Sequence, residues 1–142
     1  MKPFDDLSET DLLSLVIYGE ARNQGRGGML AVASVVMNRV KKQSWYGKTI
    51  HQVILMPLQF SCFNVGNPNR AILEKFGWWL ERGKPVAELF ESRSVAEAVI
   101  NGFSSNVDGA THYHTTIVHP HWDAKMKFIC QIKDHLFYEE VL

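Results

Sequence analysis

Residues 16–40, VIYGEARNQGRGGMLAVASVVMNRV, contain the end of one predicted helix, a glycine-rich segment and a second complete helix. Up to Ile17 the apolar residues follow the i, i+3, i+4 spacing of an amphipathic helix. Glu20 then occupies the next position on that apolar face. After the glycines, the same spacing runs without a break from Met29 to Val40. The stretch therefore predicts two helices, with a carboxylate where the first helix meets a flexible glycine-rich loop.

Helical signals continue on both sides of this stretch. The first helix is expected to start at Ser8, with Asp11 completing a variant of the capping box. Three further helices are predicted beyond residue 40: one around Lys48 to Met56, one containing Ile72 to Leu80 and ending near Gly83, and one after a capping box formed by Ser94 and Glu97.

The last third of the chain has a different character. The segments THYHTTIV (111–118) and KFICQI (127–132) are rich in β-branched and aromatic residues and predict short strands that pair with each other. No repeat or linker divides the sequence. The prediction is one α+β domain over residues 1–142, mainly helical, with a small β-hairpin.

Composition and charge exclude some classes of function. Lys+Arg and Asp+Glu are 15 each, so a zero net charge gives no reason to expect nucleic acid binding. The acidic N-terminal segment does not resemble a signal peptide, and no apolar run is long enough to span a bilayer. We expect a monomer made in the cytoplasm, without membrane insertion. Cys62 and Cys130 are expected to be two buried thiols.

Glu20 has a structural and a functional interpretation. It can lie at a helix end, paired with Arg22 or Arg39, without any further role. Alternatively, apolar surroundings disfavour the charged form of a carboxyl group, and the resulting rise in pKa keeps it a proton donor near neutral pH. Such a group is the general acid of glycosidases. The glycines that follow would then leave room for a bulky polymer.

The segment YGEAR, followed by a helix reading AVASVVMNRV, resembles the SleB/CwlJ-type cell wall hydrolases, first known from lysis of the spore cortex. The resemblance continues in order at QFSCF (59–63), GATHYH (109–114) and DHLFY (134–138). It implies a lysozyme-like, lytic-transglycosylase-like fold and cleavage of peptidoglycan glycan strands, without a cofactor. It also implies that Glu20 is the catalytic residue.

Several members of this family are lytic transglycosylases, in which one carboxyl group acts first as acid and then as base. The resemblance therefore implies cleavage between N-acetylmuramic acid and N-acetylglucosamine that leaves 1,6-anhydro ends. A hydrolytic muramidase using the same acid, with Asp108 as the second carboxylate, is the alternative. A catalytic domain without a signal peptide is also typical of a phage endolysin that reaches the wall through a holin-type pore.

Two other segments are candidates for substrate binding. Gln59, Phe60 and Ser61 combine an amide, an aromatic ring and a hydroxyl, which suit an N-acetylated sugar. In a strand, Thr111 and Tyr113 face one side and His112 and His114 the other. We expect Thr111 and Tyr113 to face the site, with His112 as a further candidate if the strand begins later.

The histidines of HYHTTIVHPH support a rival hypothesis. His112, His114, His119 and His121 form two H-x-H pairs, which a hairpin can gather around zinc. The proline between the second pair interrupts a regular strand, and few carboxylates lie nearby to orient the ligands. We therefore expect no metal, and the alternative is a zinc-binding or wall-binding module without catalysis.

Overall fold

The computed structural model describes residues 4–57, 59–103, 107–118, 120 and 122–140, and within them five α-helices precede a three-stranded sheet. The prediction of a mainly helical α+β fold is confirmed. None of the helices in the described part of the chain is long and apolar enough to cross a bilayer. The elements are α1 Glu9–Ala21, α2 Gly25–Lys42, α3 Ile50–Leu55, α4 Pro68–Glu81, α5 Phe90–Ile100, β1 His112–Thr115, β2 Lys127–Ile132 and β3 His135–Glu139.

Helix α1 lies at the centre of the helical part and packs against α2, α4 and α5. Its predicted start is confirmed, since the Ser8 hydroxyl accepts a hydrogen bond from the backbone N–H of Asp11 at 3.1 Å. All residues from Leu12 to Ile17 are buried. This segment of the helix is therefore buried on every side rather than along one stripe, and Glu20 lies three residues after its end.

The sequence predicted that the glycine-rich segment is a flexible loop, and this prediction is wrong. Helix α2 already begins at Gly25, so the glycines form its first turn. The Gln24 side chain anchors the short connection, because its amide donates to Asp134 Oδ2 and accepts from the Asp134 backbone N–H, both at 3.0 Å. A Cβ atom on Gly28 would lie 2.5 Å from Gln24 Cβ, so this compact connection requires glycine there.

Helix α2 separates two hydrophobic clusters. On one side, residues such as Val32 and Val36 belong to the main helical core. On the other side, Ala31 and Val35 pack with Phe137 of the sheet. The small side chains of AVASVV allow this close packing on both faces, and the sheet is thereby held against the helices.

One predicted helix boundary differs from the structure. Helix α5 begins at Phe90, not at Ser94, which lies inside the helix. The 3-10 turn Ala87–Leu89 leads directly into α5, so the helix starts without a side-chain cap and the Ser94–Glu97 pattern does not mark its beginning. The helices predicted around Lys48–Met56 and Ile72–Leu80 are present as α3 and α4.

The sheet contains one strand more than the sequence predicts. Strands β1 and β2 form at the predicted segments, but they do not pair with each other. The additional strand β3 lies between them and is antiparallel to both, giving the order β1-β3-β2. The hairpin therefore joins β2 to β3. In β1, Tyr113 is opposite Phe137 of β3, and both side chains face the helices.

Candidate active site

Glu20 is half-buried near the C-terminal end of α1, and both of its carboxylate oxygens accept hydrogen bonds. Its Oε1 accepts from the phenolic O–H of Tyr113 on β1. Its Oε2 accepts from the backbone N–H of Cys62 at 3.3 Å. Cys62 lies in the 3-10 turn Ser61–Phe63, so three separate parts of the chain meet at this carboxyl group.

Neither arginine proposed as an ion-pair partner takes that role in the described contacts. Arg22 donates to the Tyr18 carbonyl at 3.3 Å and to Asn69 Oδ1 at 2.9 Å. Arg39 donates to other residues, described below. The two hydrogen-bond donors of Glu20 are therefore neutral groups, a phenol and a backbone amide.

Tyr113 is held in position by aromatic contacts on β3. Its ring centroid lies 4.9 Å from that of His135 and 5.6 Å from that of Phe137. Desolvation, reinforced by the negative charge of Glu20, holds the pKa of Tyr113 well above its usual value. The phenol thus keeps its proton and remains a donor to Glu20.

The Cys62 side chain is buried beside α1. Burial first, and then the charge of Glu20, raises the pKa of the thiol, which therefore stays neutral and unreactive. The second cysteine, Cys130, is only half-buried, so the expectation of two buried thiols holds for Cys62 alone.

The predicted sugar-binding residues Gln59, Phe60 and Ser61 lie directly before Cys62, but they differ in exposure. Ser61 is exposed, Gln59 is half-buried and Phe60 is buried. The Phe60 ring packs under the Arg39 guanidinium, whose Cζ lies 5.2 Å from the centroid of the ring. Phe60 therefore supports the turn from inside. Ser61 and Gln59 remain accessible beside Glu20's amide donor.

Arg39 organises this region, a role that the sequence alone did not indicate. Its Nε donates to the Thr111 carbonyl at 2.7 Å, and its Nη1 donates to Gln59 Oε1 at 3.3 Å. The guanidinium also lies over the Tyr46 ring, 4.9 Å from the centroid. Burial lowers the pKa of Arg39. The only sequence signal is its place in the NRV segment at the end of α2, where a basic residue is ordinary.

Thr111 lies inside the protein rather than on an open surface. It is fully buried, and its hydroxyl accepts from the Glu140 backbone N–H at 3.2 Å and bonds His112 Nδ1 at 3.0 Å. Substrate cannot touch it without movement of these neighbours. The expected alternation separates His112 from Tyr113, and the His112 ring packs instead near Trp122, with centroids 5.1 Å apart.

The histidines of β1 take part in an aromatic cluster. His114 Nε2 bonds the Tyr138 hydroxyl at 3.0 Å, and its ring stacks on Tyr138. His119 and His121 lie outside the described residues. Within the described ranges, no three His, Cys, Asp or Glu residues are grouped so that they could hold a metal ion.

His112 provides a test of pH-dependent stability. Burial, with the positive charges of Arg39 and Lys42, lowers its pKa from 6.5 to about 4. Below pH 6.5 the unfolded chain therefore binds a proton that the folded protein excludes, so stability falls as the pH approaches 4. We expect a loss of about 1–2 kcal/mol from this partly exposed group, after solvent screening is allowed for.

The measurement is urea unfolding at several pH values for the parent and for His112→Gln. The pH dependence of the variant should be shallower. Equal slopes would show that His112 is not responsible, and His135, whose pKa is also lowered by burial, would be the next candidate.

Asp108, the candidate second carboxylate, lies in a turn and is exposed. It lines a cavity of about 200 Å³ between α2, the end of α5 and the segment after α5, together with Ser34 and Val99. Glu20 does not line this cavity. The arrangement supports the interpretation of Asp108 as a turn residue.

Two solved structures resemble nearly the whole chain. The catalytic domain of the germination-specific lytic transglycosylase SleB from Bacillus anthracis has a TM-score of 0.67 and 21% identity, over 95% of this chain and 98% of that one. The catalytic domain of the Bacillus cereus SleB protein has a TM-score of 0.65 and 22% identity, over 95% of this chain and 94% of that one. The predicted lysozyme-like fold is thereby confirmed.

The family assignment follows from the sequence itself. The family model described as Cell Wall Hydrolase matches residues 23–138, which include the Ser61–Phe63 turn and Tyr113. The match begins shortly after Glu20. The family model therefore does not cover this carboxyl group, and only the YGEAR motif and the contacts of Glu20 bear on its role. The chain belongs to the cell wall hydrolase family of enzymes.

Proposed function

We propose that this protein cleaves the β-1,4 bond between N-acetylmuramic acid and N-acetylglucosamine in peptidoglycan, as a lytic transglycosylase with Glu20 as the acid and base. Membership of the cell wall hydrolase family supports the substrate. The likeness to the catalytic domain of a lytic transglycosylase supports the reaction type.

The observation that carries the proposal is the environment of Glu20. The carboxyl group follows a completely buried helical segment, yet it remains half-exposed. Its two donors, Tyr113 and Cys62, are neutral and come from different elements. A single fixed carboxyl group with access to solvent is what a mechanism with one acid/base requires, whereas a hydrolase of the two-carboxylate type needs a second acid across the bond.

The proposed reaction is balanced without water. Protonated Glu20 gives its proton to the glycosidic oxygen, and the bond from that oxygen to C1 of the muramic acid breaks. The C6 hydroxyl of the same sugar then forms a bond to C1, and its proton returns to Glu20. While the carboxylate is charged, the Tyr113 O–H and the Cys62 N–H stabilise it.

We assign substrate contacts by exposure. Ser61 and Gln59 are accessible and offer a hydroxyl and an amide to an N-acetyl group. Phe60 and Thr111 are buried and are proposed to support the turn and the strand from inside. Tyr113 acts on Glu20, and His112 lies on the other side of β1.

Product analysis tests the reaction type. Purified peptidoglycan is digested in water enriched in ¹⁸O, and the fragments are analysed by mass spectrometry. We expect 1,6-anhydro-muramic ends without incorporated ¹⁸O, because a hydroxyl of the sugar replaces water as the nucleophile. Reducing ends that carry ¹⁸O would instead identify a hydrolytic muramidase. Release of no fragments would favour a wall-binding module.

A digestion with the Glu20→Gln protein, prepared in parallel, is the control for contaminating enzymes. The role as a phage endolysin stays a prediction from the sequence.

A further inference from the structure

We propose that Gly19 is a positioning residue. Because it has no side chain, the Ser61–Phe63 turn can approach α1 closely enough for the Cys62 N–H to donate a hydrogen bond to Glu20. The catalytic consequence of this contact depends on the function proposed above. The contact itself is a property of the fold and is tested separately.

The space at Gly19 is already filled by its neighbour. A Cβ atom on Gly19 would lie 2.7 Å from Cys62 Sγ and 2.8 Å from Cys62 Cβ. Rotation about the Cα–Cβ bond can move the sulfur but leaves Cβ where it is. Any side chain at position 19 therefore has to push the backbone of the turn away from α1.

The backbone at position 19 does not itself call for glycine. Gly19 lies inside α1, and it is not among the described glycines with positive φ. In such a helical position alanine is intrinsically the better residue. The steric need at Gly19 is thus set by the approach of Cys62 and not by local conformation.

The approach matters because Glu20 is the next residue. The Cys62 N–H bonds Oε2 at 3.3 Å, and the Tyr113 hydroxyl bonds Oε1. These two donors approach the carboxyl group from different elements and fix its orientation. If the turn moves outward, one donor is lost and the carboxyl group can rotate away from the reacting oxygen.

The first test is Gly19→Ala, with Gly77→Ala as the matched control. Gly77 is also helical, but its added Cβ would lie 3.4 Å from the nearest atoms, in the Phe4 ring. We expect Gly19→Ala to lower kcat at least tenfold and also to raise KM, because Ser61 moves with the turn. Gly77→Ala should keep parent activity. The pH above which activity falls should also move upward in Gly19→Ala, because a carboxylate that loses a donor binds its proton more tightly.

The second test is rescue. Cys62→Gly removes the two atoms nearest to the added Cβ, and the third, Leu73 Cδ1 at 3.2 Å, is the end of a flexible side chain. The double variant Gly19→Ala/Cys62→Gly should therefore be several-fold more active than Gly19→Ala alone. Parent activity in Gly19→Ala, or a double variant no better than it, would overturn the proposal. A defect of folding alone would lower the measured activity at every pH by the same factor, without moving the pH at which activity falls.

The third test does not depend on activity and applies even if Gly19→Ala fails to fold. In ¹⁵N-labelled parent protein, the amide resonance of Cys62 should shift with pH as Glu20 ionises, and this shift should disappear in Glu20→Gln. Among the described residues, Tyr113, His135, Arg39 and Arg22 are other charged or titratable groups that act on this pair, and all four are retained in Glu20→Gln.

If the Cys62 shift persists in Glu20→Gln, the proposed contact is wrong. If the shift behaves as expected and the parent protein releases no peptidoglycan fragments, the proposed function is wrong while the contact stands.

Discussion

Replacing Glu20 with glutamine should reduce the release of peptidoglycan fragments by about 10²–10⁴-fold, the contribution typical of a general acid or base. Glutamine has the size of glutamate, and its carbonyl oxygen can still accept a hydrogen bond from Tyr113 or Cys62. The amide cannot give a proton to the glycosidic oxygen. Loss of activity would therefore occur in a correctly folded protein.

The measurement is the initial rate of fragment release from purified cell walls, with thermal unfolding recorded for the same samples. Glu91→Gln is the matched control, because Glu91 is an exposed glutamate in the first turn of α5. It should keep the parent rate. A Glu20→Gln protein that digests walls as fast as the parent would remove Glu20 from the mechanism.

Replacing Phe137 with alanine should lower the free energy of unfolding by about 3–5 kcal/mol, the usual cost of deleting a buried phenylalanine ring. Phe137 is completely buried between the sheet and α2, where it packs with Ala31 and Val35. Its ring also packs against the ring of Tyr113, with the two centroids 5.6 Å apart. The variant should consequently lose activity as well, since Tyr113 loses a support near Glu20.

The measurement is urea unfolding of Phe137→Ala, with Phe103→Ala as the control, to compare their free energies of unfolding with that of the parent. The Phe103 side chain is 59% exposed, so its removal should change stability by less than about 0.5 kcal/mol. Similar losses in the two variants would contradict the central position of Phe137 between α2 and the sheet.

Helical periodicity predicted the elements whose signals are local. The start of α1 at Ser8 and the long helix α2 followed from capping and spacing alone. The start of α5 did not, because a 3-10 turn leads into that helix and no side-chain cap marks its beginning. Strand pairing was also missed, since β3 lies between β1 and β2 and pairing depends on contacts between distant segments.

In the candidate site too, local sequence signals indicated single residues but not the contacts between distant segments. Position and motif indicated Glu20 as a carboxyl group at the end of an apolar helix, and Tyr113 as a residue facing the site. Neither indicated that the two side chains bond each other, nor that the second donor is a backbone amide. Backbone N–H groups are the same in every residue except proline, so no sequence pattern reveals which one will point at a carboxylate.

The sequence by itself determined where the helices of the first half lie and which carboxyl group stands out from their apolar faces. Tertiary structure decided the surroundings of that group: Arg39 beneath the turn, Thr111 buried and Ser61 exposed. The reason is physical. Helix formation depends on neighbours within one turn, whereas the donors of Glu20 come from 42 and 93 residues away and meet it only when the core has formed.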